Sequence, residues 1–247
     1  MRIGTWNVEY GRGSRNSDRL AILRDRDAAI WVLTETCADL DLGATHPHAM
    51  STFPRTVRQF GSQSVWVTIW SKYPMVRTIS VPDPRRMVAA IFDSPAGPLA
   101  VAGIVLPWHC DVGDRPPDPR PRNWEEHRRV LRDEVPELLE ILRGQSAAGR
   151  ILAGDFNTDF QPPHSYGLKV ERAALLALLT DAAFTCHTGS MLYPPPGSNR
   201  TLIDHICSDL ESIGEVETWS GDDGEKPRLS DHPGVVVTLK FPNPATA

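Results

Sequence analysis

Residues 150–160 read RILAGDFNTDF, and this stretch decides how the rest of the chain is organised. An apolar run, Ile151-Leu152-Ala153, stops at Gly154 and is followed by Asp155, Asn157 and Asp159. A buried strand that ends on Gly-Asp delivers a carboxylate to one edge of a sheet. Successive side chains alternate across a strand, so Asp155 and Asn157 are expected on one side, with Phe156 on the other. A carboxylate and a carboxamide so placed suit a water, a metal ion or a phosphate oxygen. A strand running into an ordinary turn yields the same letters, so the weight of the stretch depends on its companions.

Several companions have the same form. Toward the N-terminus, residues 2–8 (RIGTWNV) read as a strand presenting Asn7, with Glu9 and a Gly11-Arg12-Gly13 turn beyond it. No Gly-Lys-Ser/Thr follows that turn, so it is not a phosphate-cradling loop. Ser17 is a candidate cap for a helix over 18–28. The run Ala29–Leu33 then ends in Thr34-Glu35, a second strand with a carboxylate at its tip. Four β-leaning runs follow, at 64–70, 75–81, 87–93 and 99–106, punctuated by Pro and Gly. The last breaks at Pro107-Trp108-His109 and enters a proline-rich loop that carries Arg115, Arg120 and Arg122.

On the C-terminal side the pattern turns helical. Asn123 with Glu126 fits a capping box. Leu131, Val135, Leu138 and Leu142 recur at helical spacing, and Pro136 predicts a kink or two shorter helices. Beyond the GDFN strand, 169–181 form another helix, rich in Ala and Leu. A turn, YPPPGSNR, ends at Arg200 and precedes a strand TLIDHICS; a final strand follows Leu229-Ser230-Asp231-His232-Pro233. Strands and helices mix without a βαβ rhythm, and no linker divides the chain. The expectation is an α/β fold of two packed sheets with helices outside, as a single domain over residues 1–247.

Composition narrows the function classes. Of 247 residues, 40% are hydrophobic and 23% charged, an ordinary globular balance. The net charge of −5 advertises no whole-molecule positive field for nucleic acid, although a local groove or a divalent ion can offset it. Arginine outnumbers lysine 22 to 4, a preference that suits phosphate recognition. Cys37, Cys110, Cys186 and Cys207 lie far apart in sequence without a CxxC pair, which favours free thiols over a zinc site or disulfide framework. There is no signal-peptide core at MRIGTWNVEY and no apolar run of spanning length. A cytoplasmic monomer without membrane insertion is the expectation.

Chemistry-bearing residues thus stand at five separated strand ends: Asn7; Glu35; Asp155 with Asn157; Asp204; and Asp231 with His232. Two like charges ~4 Å apart repel by about 4 kcal/mol at an effective dielectric near 20. A converged cluster of these carboxylates therefore needs a divalent cation, an imidazolium or bound protons. Oxygen ligands suit Mg²⁺ or Mn²⁺ better than zinc. His232 beside Asp231, with Asp204 as an orienting partner, resembles an aspartate–histidine pair. Together these groups make a fair hydrolytic site for a phosphate ester.

In their order along the chain, TWNV, LTET, GDFN, LIDHI and SDHPGVVVTL resemble the endonuclease/exonuclease/phosphatase superfamily of metal-dependent hydrolases. That resemblance implies a four-layer α/β sandwich, two mixed β-sheets packed face to face and flanked by helices. It implies that Glu35 is the principal metal ligand, with Asn7 beside it and Asp231 as a further ligand. Asp155 would orient or deprotonate the attacking water, Asn157 would hydrogen-bond the scissile phosphate, and His232, polarised by Asp204, would contact a phosphate oxygen. Either Asp155 or the Asp204–His232 pair could be the base. One departure stands out: where many relatives place a phosphate-touching Tyr or His, this chain reads Ile104-Val105-Leu106-Pro107, and His109 is the nearest substitute.

Three readings of the substrate stay open. A nuclease, endonuclease or exonuclease, acting on DNA before RNA, would use the arginines of the loops, Arg115, Arg122 and Arg200 among them, with Trp108 stacking on a base or sugar. A phosphatase or phosphodiesterase acting on a small or lipid-derived phosphate ester fits the acidic balance. A catalytically inactive binding module of the same fold is the third, opposed by the complete Asn, Glu, Asp and His set.

Overall fold

The computed structural model describes residues 1–11, 15–54, 64–111, 123–162, 164–190 and 201–241. In chain order they form β1 (Arg2–Asn7), α1 (Asn16–Arg26), β2 (Ile30–Thr36), β3 (His48–Ser51), β4 (Val65–Ser71), β5 (Met75–Ile79), β6 (Met87–Ser94) and β7 (Gly97–Val105). Then come α2 (Glu125–Asp133), α3 (Val135–Arg143), β8 (Gly149–Asp155), α4 (Lys169–Asp181), β9 (Thr185–Cys186), β10 (Asp204–Ser208), β11 (Glu211–Ser212), β12 (Glu217–Trp219) and β13 (Gly234–Lys240). One sheet runs β11-β13-β1-β2-β4-β3, with β12 also on β13; the other runs β5-β6-β7-β8-β10-β9. Both are mixed: β1–β2 and β7–β8 are parallel pairs among antiparallel neighbours.

Three apolar layers hold this arrangement. Between the sheets, Ile3, Val32, Val67, Val101, Ile151, Ile206 and Val235 interdigitate. Outside the second sheet, the stripe of Val130, Val135, Leu138, Leu142, Leu175 and Leu179 on α2–α4 covers Ala102, Ile104, Leu152 and Phe156. Leu23 of α1 packs with Trp6, Trp31 and Leu33 on the outer face of the first sheet. The result is the four-layer α/β sandwich, two packed mixed sheets flanked by helices. Gly103 lets the sheets approach: a Cβ there would meet Val67 Cγ1 at 2.5 Å and Val32 Cγ1 at 2.9 Å. Among the described residues, no helix is long and apolar enough to cross a membrane.

Some local expectations give way to tertiary contacts. Pro136 does divide the long helix, sitting in the first turn of α3 where its missing N–H costs nothing. The capping box does not form: Trp124 occupies the cap with φ 63°, held by edge contacts to His127 and Tyr166, and Glu126 pairs with Arg129 instead. Ser17 lies within α1 and makes no cap bond. His48 begins strand β3 on the backbone of β4. His127 is buried beneath α2, its Nδ1–H donating to the Pro107 carbonyl at 2.7 Å. The arginines 12, 115, 120, 122 and 200 lie outside the described residues, as do most of the proline-rich loop and the YPPPGSNR turn.

Candidate active site

Strand register explains most of the convergence. Asp155, last in β8, is the direct cross-strand partner of Asp204, first in β10. On the facing sheet Asn7 lies beside Thr34, so Glu35 stands one residue beyond Asn7's neighbour. β13 is antiparallel to β1 with Thr5 opposite Val235, and the same ladder continued brings Pro233 and His232 to the level of Asn7. Strand ends from both sheets thus open on one rim.

Two hydrogen-bonded units meet there. Asp155 Oδ2 accepts from the Asn7 amide at 3.2 Å, and its Oδ1 accepts from the Asn157 backbone N–H at 2.9 Å. Asn157 has φ 47° and donates its amide to the Leu106 carbonyl at 2.8 Å. Its place beside Asp155 therefore comes from a side-chain-to-backbone turn, which asparagine accommodates, rather than from strand alternation. The second unit is His232, whose Nδ1 lies 2.5 Å from Asp204 Oδ2. Ligand atoms of Asp155, Asp204 and His232 all fall within 4.8 Å of one another.

Burial sharpens the electrostatics. Asp155 is 2% exposed, and burial, reinforced by the Asp204 charge and by Glu35, pushes its carboxyl up to about 7 against the opposing pull of His232. Burial works the other way on His232, but Asp204 and Asp155 outweigh it and push the imidazole up to about 10. The histidine is therefore a cation at neutral pH, in contact with Asp204 and near Asp155. Asp204 Oδ1 is buried without a hydrogen-bond partner among the described residues. A rim of carboxylate and amide oxygens, carrying more acid than its one imidazolium offsets, has the donor chemistry of a hard divalent cation.

Glu35 is half-buried, with φ 51° inside β2, a conformation that costs a glutamate roughly 1–3 kcal/mol and is retained at this rim. Asp231 lies beside His232, 4.0 Å from Nε2, and is paired at 3.5 Å with Arg228, which also holds Glu9. Trp108 is half-buried and packs on Trp66, ring centroids 5.7 Å apart. His109 is exposed, and its ring lies against Trp124 and Tyr166. Arg115, Arg122 and Arg200 are among the residues outside the description.

Three residues of this site do not stand out in the sequence. Ser230 ties the histidine loop to β1: its hydroxyl donates to the Asn7 carbonyl at 2.6 Å and accepts from the His232 N–H at 3.0 Å. The Trp6 indole donates to the His232 carbonyl at 3.1 Å. Ser230 precedes Asp231 in the SDH motif, and that adjacency was the available signal. Tyr166 had none. Its backbone is clamped by the buried Asp159–Arg172 ion pair, N–H to Asp159 Oδ2 at 2.9 Å and carbonyl from Arg172 at 3.0 Å. Its ring stands edge-on to Trp124, 5.4 Å away. Burial and the nearby charges of Asp155 and Asp231 raise its phenol, which accepts from the His109 backbone N–H and stays a donor at neutral pH.

The fold matches known proteins. The profile described as "Endonuclease/Exonuclease/phosphatase family" matches residues 4–232. No curated protein sequence matches the chain. Among solved structures, an AP endonuclease from Archaeoglobus fulgidus superposes with a TM-score of 0.68 at 17% identity, over 97% of this chain and 99% of that one. An endonuclease/exonuclease/phosphatase from Beutenbergia cavernae gives 0.66 at 16%, over 98% and 71%. The human nocturnin catalytic domain, with a bound sulfate anion, gives 0.62 at 15%, over 98% and 93%. At these identities the structural neighbours speak for the fold alone. The profile match runs from β1 through His232 and takes in every converging strand end, and the chain belongs to the Endonuclease/Exonuclease/phosphatase family.

Proposed function

We propose that the chain is a Mg²⁺- or Mn²⁺-dependent phosphoesterase that hydrolyses nucleic-acid phosphodiester bonds, in DNA before RNA, by in-line attack of water. Members of the family are in general phosphoesterases dependent on a divalent metal. The observation that carries the reading is the pair of half-buried His232 and buried Asp204, 2.5 Å between Nδ1 and Oδ2, standing against Asp155 at the rim. An imidazolium held by one carboxylate beside a second, partly protonated carboxyl is an anion-binding and proton-accepting arrangement. Nocturnin's bound sulfate, an anion shaped like phosphate, and the AP endonuclease among the structural neighbours agree with such a substrate.

In this reading His232 donates from Nε2 to a non-bridging phosphate oxygen, while Asp204 keeps it charged and oriented. Its high proton affinity makes it a poor base near neutrality and supports Asp155, with a carboxyl near 7, as the group that accepts the proton of the attacking water. The second N–H of the Asn157 amide and the Tyr166 hydroxyl face the phosphate, Tyr166 filling the role anticipated for His109. Glu35, Asn7 and Asp231 would hold the metal, which when bound supplies positive charge against the charge developing on phosphorus oxygens, worth several kcal/mol. Trp108 and the arginines of the loops, Arg115, Arg122 and Arg200, are proposed to meet the bases and flanking phosphates.

The net charge of −5 favours a second reading, a phosphodiesterase acting on a small or lipid-derived phosphate ester. A screen with Mg²⁺ and with Mn²⁺ separates the two. It compares single-stranded, duplex and abasic DNA, RNA, a nitrophenyl phosphodiester and inositol phosphates. Cleavage of DNA that EDTA abolishes supports the proposal. Cleavage of the small esters alone would overturn the nuclease reading, and no hydrolysis of any phosphoester would overturn the enzyme reading itself.

A further inference from the structure

Away from the rim, the fold brings together two thiols that are distant in sequence. Cys186 of β9 and Cys207 of β10 are direct cross-strand partners. The His187 N–H donates to the Ile206 carbonyl at 2.9 Å, which makes 187 and 206 a hydrogen-bonded position of the ladder. Cys186 and Cys207 therefore occupy the adjoining position without ladder bonds, where facing Cα atoms lie about 4.5 Å apart. A disulfide bridges Cα atoms roughly 4.4–6.8 Å apart, so the pair is within reach of one another's sulfur. Both thiols are free, and they hydrogen-bond to each other.

Their surroundings differ in a chemically useful way. Cys186 is half-buried on a two-residue edge strand, and its Sγ lies 3.7 Å from Thr188 Oγ1 and within hydrogen-bond reach of His205. His205 is fixed between Thr188 Oγ1 and the Thr158 carbonyl, each at 2.8 Å. The bonds from Cys207 and His205 lower the Cys186 thiol, whereas burial pushes the fully buried Cys207 up. A half-buried sulfur with a lowered thiol thus faces a fully buried one whose thiol is raised, the order in which thiol oxidation proceeds to a disulfide.

We propose that Cys186 and Cys207 form a dithiol that hydroperoxides oxidise to an intrachain disulfide, a modification site distinct from the hydrolytic rim. The Cys186 sulfur attacks the terminal oxygen of the hydroperoxide; an S–O bond forms, the O–O bond breaks, and the alkoxide leaves with the Cys186 proton as an alcohol, or as water from hydrogen peroxide. The Cys207 sulfur then attacks the sulfenic sulfur of Cys186. The S–S bond forms, and hydroxide leaves with the Cys207 proton as water. The two thiols give up two electrons and two protons, and the hydroperoxide takes them.

The test is made on the full, reduced chain at neutral pH, treated with hydrogen peroxide, unfolded, alkylated and mapped by mass spectrometry. The expected result is a linked Cys186–Cys207 peptide pair in monomeric chains, lighter by two hydrogens and restored by dithiothreitol. The Cys207→Ser variant should leave Cys186 as a sulfenic acid that dimedone traps, and Cys186→Ser should leave Cys207 reduced. If all four thiols alkylate as in untreated protein, or if oxidation stops at exposed Cys110 with chains linked in pairs, the proposal fails. The readout is thiol chemistry, so that failure would leave the hydrolase reading untouched.

Discussion

His232 concentrates the chemistry at the scale of single residues. Its charge depends on Asp204, so Asp204→Asn should lower its proton affinity and cut turnover by about 10²–10⁴, the range of a lost acid–base partner. Steady-state kinetics with a pH profile checks this, and a wild-type rate would remove His232 from the mechanism. Ser230→Ala deletes the link between Asn7 and His232. It should cost about 1–3 kcal/mol in denaturant unfolding, because it strands buried polar groups, and should lower kcat more than it raises KM. Asp155, Asp204 and His232 were legible in the sequence because each follows or begins an apolar strand. Tyr166 was not: what places it at the site is contact with His109 and Trp124 and the Asp159–Arg172 clamp, and no local pattern encodes those.

Strands carry the next level, and Gly154 shows what their packing demands. It has φ +136°, and a Cβ there would sit 2.1 Å from the Ile104 carbonyl oxygen of β7. Gly154→Ala should therefore destabilise by several kcal/mol, among the larger effects of a single substitution, since both backbone strain and a backbone clash must be relieved. Thermal or denaturant melts measure it, and a wild-type midpoint would contradict the β7–β8 register. Helix α4 could be read to its ends, Lys169–Asp181, because its Ala/Leu run has no competing signal. The start of α2 could not, because the packing of Trp124 overrides the cap that Asn123 offers. The short strands β9, β11 and β12 contain two or three residues each and exist only through their partners' ladders.

For the whole molecule, the balance of charge at the rim governs the response to metal and pH. EDTA should abolish hydrolysis, and added Mg²⁺ or Mn²⁺ should raise the melting temperature, since a ligand of the native state stabilises it. A melting temperature and rate indifferent to both ions would oppose a metal site. In metal-free protein, His232 binds its proton more tightly folded, at about 10, than unfolded, near 6.5. The stability this contributes is complete below about pH 6.5 and is lost as pH rises through 10. Melts of wild type and His232→Gln should therefore differ most at and below about pH 6.5 and converge toward pH 10; a constant difference would refute the raised affinity.

The sequence by itself determined which residues could do chemistry and which of the longer segments would be strands and helices. Apolar periodicity and strand-ending Gly-Asp, Thr-Glu and Ser-Asp-His signals are local, and they survive any packing of the two sheets. Only the tertiary structure decided the neighbours: Asp155 opposite Asp204, Asn7 level with His232, Cys186 facing Cys207. Those pairings follow from register between strands far apart in the chain, and register is set by how both sheets bury their apolar faces together.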